Sequence, residues 1–101
     1  MAAKQIDQYA VMYSANSFYP RIWLKGGGKF IGQLNFLANG VALPPDGLSG
    51  GMPNLFYHLD NFPHVLDLLR NEKPTYINYL GSGGGFENSI MTSDEPQGEG
   101  E

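Results

Sequence analysis

Polar and apolar residues alternate along the first third of the chain. Tyr9, Val11 and Tyr13 interleave with Ala10, Met12 and Ser14, a period of two carried by strand-forming residues, which predicts a strand from Tyr9 to Ala15. Asn16, Ser17 and Pro20 then bend the chain. Arg21 to Lys25 alternates again, with Ile22 and Leu24 on one face and Arg21, Trp23 and Lys25 on the other. Gly26-Gly27-Gly28 predicts a tight hairpin, and Lys29 to Leu37 the returning strand. The same period assigns Phe30, Gly32, Leu34 and Phe36 to one face, and Ile31, Gln33, Asn35 and Leu37 to the other. After the Asn39-Gly40 turn, Val41-Ala42-Leu43 reads as a brief fourth strand, and residues 44–55, rich in proline and glycine, read as loop.

The period then changes. Phe62, Val65, Leu66 and Leu69 recur at i, i+3, i+4 and i+7, the stripe of an amphipathic helix. Asp60 or Asn61 is placed to cap it, Pro63 fits the first turn, where amides have no helical partner, and Pro74 stops it. Thr75 to Leu80 predicts another strand, Gly81 to Gly85 a turn, and Phe86 to Thr92 a final strand. From Ser93 onward no apolar residue remains, so residues 93–101 read as an acidic extension. Short glycine turns favour antiparallel neighbours. The expectation is therefore a single α+β domain over residues 1–92: one small antiparallel sheet of about five strands, with one amphipathic helix on one of its faces.

Composition narrows the function classes. At 101 residues the chain is too short for a TIM barrel, an α/β-hydrolase or a full dinucleotide fold. With 42% hydrophobic and only 16% charged residues, it has the balance of a globular domain rather than of a disordered segment. The absence of cysteine excludes disulfide scaffolds, thiolate metal sites and cysteine nucleophiles. No apolar run approaches the roughly twenty residues of a membrane span, and Met1 to Gln8 lacks the apolar stretch of a signal peptide. A cytoplasmic protein without membrane association is the resulting expectation.

A net charge of −4 opposes general binding to polyanions, but the charge is unevenly spread. Residues 1–45 carry Lys4, Arg21, Lys25 and Lys29 against the single acid Asp7. Residues 46–101 carry only Arg70 and Lys73 against nine acids. An acidic tail bearing Asp94, Glu95, Glu99 and Glu101 could rest on the basic hairpin and mask it.

Three chemical patterns fail on context. Gly47-Leu48-Ser49-Gly50-Gly51 spells the nucleophile elbow G-x-S-x-G, yet prolines flank it where a strand and a helix are needed. Gly81 to Gly85 follows a strand as a phosphate loop would, but it lacks the Gly-Lys-Ser/Thr ending and a following helix. His58, Asp60 and His64, with Asp67 beyond them, are the best acid–base or metal candidates; their loose spacing fits helix capping and a solvated histidine better than a zinc site. No cofactor or metal set follows, and no catalytic residue is assigned.

The hairpin carries the remaining signal. Arg21, Trp23 and Lys25 emerge on one sheet face with Gln33 and Asn35 opposite them and Lys29 at the turn, and tryptophan and arginine are among the residues that most often anchor protein interfaces. Six Tyr, six Phe and one Trp are also many for a core served by one helix, which places some of them at an interface. The sequence thus points to a homo-oligomeric or protein-binding interaction domain. Two alternatives stand beside it: a domain binding single-stranded nucleic acid or a small ligand through the same face, and a small enzyme around His58, Asp60 and His64.

Overall fold

The computed structural model describes residues 3–82 and 85–93. The acidic residues 94–101, and with them the expected tail-to-hairpin contact, lie outside the described residues. The elements follow in the order β1 (Ala3–Ile6), β2 (Gln8–Met12), β3 (Arg21–Gly26), β4 (Lys29–Leu37), β5 (Gly47–Ser49), β6 (Met52–His58), a 3-10 turn (Leu59–Asn61), α1 (Phe62–Asn71), β7 (Thr75–Asn78) and β8 (Ser89–Thr92).

The α+β class holds, but the single antiparallel sheet does not. Five strands form one sheet in the order β2-β3-β4-β6-β5, and three form another in the order β1-β7-β8. The larger sheet is mixed because β6 runs parallel to β4. Residues 38–51 connect those two strands, which meets the crossover length that parallel pairing requires. Residues 44–55 are accordingly not all loop: β5 and the start of β6 occupy part of them, whereas Val41 to Leu43 form no strand. Pro53 is tolerated by its position. It pairs only with Leu48 of the short β5, and the register with β4 begins one residue later, at Asn54.

A second correction concerns the hairpin. It closes through Gly27 and Gly28, both at positive φ, but the β3–β4 register slips so that Leu24 opposes Gly32 while Lys25 opposes Phe30. Ile31 is the extra residue of a bulge, and a bulge breaks the period of two. Phe30 therefore joins Trp23 and Lys25 on the outer face, and Ile31 turns to pack on the core.

The core lies between the inner face of the larger sheet and two covers. Ile22, Leu24, Leu34, Phe36 and Leu55 are all at most 1% exposed; α1 contributes Val65 and Leu69, and the smaller sheet contributes Ile6 and Ile77. Phe36 stacks on Tyr57 with ring centroids 5.5 Å apart and meets Phe62 edge-on at 4.9 Å. In the helix, Phe62, Val65 and Leu69 face this core as expected, but Leu66 is only half-buried and stands outside the cluster. Asn61 caps the helix without a side-chain hydrogen bond. Asp60 instead forms a reciprocal pair with Asn39: its carboxylate accepts from Nδ2 at 2.8 Å and its amide donates to Oδ1 at 2.9 Å.

The two sheets meet at close-packed glycines. A β-carbon at Gly32 would lie 2.5 Å from Cδ1 of the buried Ile77, and one at Gly26 would collide with the carbonyl oxygen of Gln5. β1 and β2 are nearly one strand interrupted at Asp7, whose amide donates to the Lys25 carbonyl at 2.7 Å, so the chain turns there from one sheet into the other. No helix among the described residues is long and apolar enough to cross a membrane.

Candidate functional site

The face of the larger sheet turned away from the core is built by alternation. Ile22 and Leu24 point inward, which obliges Arg21, Trp23 and Lys25 to point outward. β4 lays Gln33 opposite Trp23 and Asn35 opposite Arg21, and β6 lays Asn54 beside Gln33. The hairpin residues expected on one face are thus together, and Lys29, expected at the turn, is exposed there and paired with Gly26.

A directional chain of hydrogen bonds runs across this face. Trp23 Nε1 donates to Gln33 Oε1 at 2.6 Å. Gln33 Nε2 donates to Asn35 Oδ1 at 3.1 Å and to Asn54 Oδ1 at 2.8 Å. Asn35 Nδ2 in turn reaches the Leu55 carbonyl at 3.3 Å, and Asn54 Nδ2 the Met52 carbonyl at 3.3 Å. Asn35 is only 5% exposed, so these bonds supply the partners that a buried amide needs. The network holds Trp23 in one orientation.

Aromatic and cationic groups flank it. Trp23 and Phe30 meet edge-to-face, 5.4 Å between centroids, with the Lys25 ammonium 4.9 Å above the Phe30 ring. Together with Asp7, Gln8, Tyr9 and Ala10 these three residues line a groove of about 570 Å³. The Asp7 carboxylate at its rim accepts from the Gly27 amide at 2.6 Å, tying the hairpin tip to the end of β1. On the far side of the amide chain, Arg21 lies 5.9 Å from the Phe18 ring centre, beside a second, smaller cleft.

The other candidates do not form a cluster. His58 Nε2 bonds the Val41 carbonyl at 2.7 Å, Asp60 is paired with Asn39, Asp67 accepts from Asn71, and His64 is exposed. Among the described residues no three His, Cys, Asp or Glu side chains converge. Ser49 sits beside the Gly50-Gly51 turn of the β5–β6 hairpin rather than on a strand-to-helix elbow. Gly83 and Gly84 of the glycine run lie outside the described residues.

Phe30 and Asn54 are two members of the outer face that the sequence pattern missed. The doubled glycine turn shows a hairpin but not the bulge beyond it, and Asn54 sat in a segment read as loop. No family model, no curated protein and no solved structure matches the chain. The side chains of this face therefore carry any functional reading.

Proposed function

We propose that this chain is a protein-interaction domain that self-associates through the outer face of its larger sheet. One observation carries the reading: Trp23, held by the amide network, and Phe30, packed edge-on to it beneath Lys25, form an aromatic floor in an open groove of about 570 Å³. Half-exposed aromatics beside cations, pinned before binding, are what interface anchors require, since little side-chain freedom is lost when a partner arrives. A second copy is the favoured occupant. Phe86 and Met91, 50% and 40% exposed, offer apolar side chains, and the acidic residues after Asp46 complement Arg21, Lys25 and Lys29.

Light scattering across a dilution series, read with the fluorescence of the single tryptophan, tests this. Association is expected to shift Trp23 emission to shorter wavelength. Trp23→Ala is expected to weaken association by about 2 kcal/mol or more while leaving the circular dichroism of the fold intact. A chain that stays monomeric at every concentration overturns the proposal.

The bulge supports a second reading. By bringing Phe30 to Trp23 between Lys25 and Arg21, it gives the face two aromatics and two cations, the elements of a platform for single-stranded nucleic acid. Titration with oligothymidylate at low and high salt separates the two, because base stacking on this platform would quench Trp23 and weaken as salt rises.

A further inference from the structure

One charged group on the outer face is left without a partner among the described residues. Arg21 opens β3 opposite Asn35, and its Nε is closed off from solvent with no hydrogen-bond partner among the described residues. A guanidinium cannot shed its proton, and a buried N–H without an acceptor is costly. The neighbouring amides are already committed: the Gln33 oxygen receives Trp23, and the Asn35 oxygen receives Gln33. Phe18 presents its ring to the guanidinium but offers no conventional acceptor. Beside Arg21 opens a cleft of about 320 Å³, lined among the described residues by Ser17, Phe18, Tyr19, Arg21, Gln33 and Asn35, with no carboxylate among them.

We propose that this cleft binds a carboxylate of an acidic peptide segment, with the two terminal Nη groups of Arg21, rather than the enclosed Nε, as the donor fork. The inference rests on the reading of the outer face as a protein-interaction surface and names the chemistry its partner brings. A carboxylate is planar and accepts two parallel N–H bonds, the geometry a guanidinium presents. Among the described residues Arg21 is the only cation lining the cleft, and Lys25 is already engaged over Phe30, so the site suits one negative group rather than a phosphodiester tract that needs several cations. Gln33 lines the cleft and also accepts the Trp23 N–H, so occupation is reported by the indole.

The test is a titration of the full chain with triglutamate, followed by Trp23 fluorescence, with inorganic phosphate and oligothymidylate as parallel arms. The expected result is a saturable change with triglutamate alone. Arg21→Gln is expected to weaken it at least about tenfold, and Arg21→Lys, which keeps the charge but loses the fork, to weaken it as well. A second readout separates a binding role from a structural one. Removing a buried donor that has no partner should leave the thermal midpoint of Arg21→Gln at or above that of the parent, whereas a structural arginine would lower it. Arg21→Lys carries the test if Arg21→Gln does not fold. Silence with triglutamate, equal binding by Arg21→Gln, or a response confined to phosphate or oligothymidylate overturns the proposal. Light scattering keeps the two readings apart. Self-association lost in Trp23→Ala, with triglutamate silent, leaves the interaction face standing without its carboxylate subsite. Triglutamate bound through Arg21 by a chain that is always monomeric does the reverse.

Discussion

The two faces of the five-stranded sheet are made from the same strands and obey opposite rules. On the inner face Ile22, Leu24 and Leu34 are fully buried, contribute no polar side-chain atom and are covered by α1 and the smaller sheet. On the outer face Trp23, Gln33 and Asn54 are only half-buried, and they are held by side-chain hydrogen bonds rather than by a covering layer. The difference teaches where stability and availability reside in this molecule. The inner face derives its free energy from apolar area removed from water. The outer face keeps its aromatic area only partly removed from water, with Trp23 fixed by the amide network.

Breaking the inner face should have the largest effect. Leu34→Ala is expected to destabilise by about 2–5 kcal/mol, through lost burial and a residual cavity, as measured by urea unfolding. Asn35→Ala probes the border between the faces. It leaves the Gln33 amide one acceptor fewer and removes a donor from the Leu55 carbonyl, so a loss of about 1–3 kcal/mol is expected without a change of fold. An effect as large as that of Leu34→Ala would mean that the amide chain, and not the apolar layer, holds the sheet.

The helix gives a finer contrast. Leu69→Ala should cost clearly more than Leu66→Ala, because Leu69 is 8% exposed within the core cluster and Leu66 lies at its margin. Equal losses would refute the register of α1 against the sheet.

The smallest effect concerns pH. Burial pushes the Tyr57 hydroxyl above the usual tyrosine range; a backbone hydrogen bond with Ile90 pulls the other way, and the Asp46 carboxylate adds to the rise. The folded state therefore keeps this proton where the unfolded chain would lose it. Its contribution is complete below the ordinary tyrosine value of about 10 and is lost as pH rises through the folded value. Tyr57→Phe should flatten the alkaline limb of stability, seen as urea midpoints that fall less steeply above about pH 10 than those of the parent. An unchanged limb would show that Tyr57 is not the responsible group.

How much of this was legible depends on the range of the interactions. The alternation from Arg21 to Lys25 assigned the faces of β3 correctly, because burial on one side of a strand imposes a period of two on the residues themselves. The spacing of Phe62, Val65 and Leu69 likewise located the buried side of α1. Phe30 was misplaced because a bulge adds one residue without altering composition. β6 was missed because Pro53 and the paired glycines before it suggest a loop. Only the arrival of β4 on one side and β5 on the other makes Met52 to His58 a central strand. β1 escaped notice because four residues carry too short a pattern to stand out.

By itself, then, the sequence determined the α+β composition of the fold, the apolar faces of β3 and α1, and the gathering of Arg21, Trp23, Lys25, Gln33 and Asn35 on one surface. These are local periodicities, written into neighbouring residues. Tertiary structure alone decided the parallel pairing of β4 with β6, the division into two sheets at Asp7 and the placement of Phe30 beside Trp23. It also decided that the Arg21 Nε has no partner among the described residues. Each of these depends on which distant segments meet, and segments far apart in the chain are brought together by the burial of the core as a whole rather than by any pattern a single segment carries.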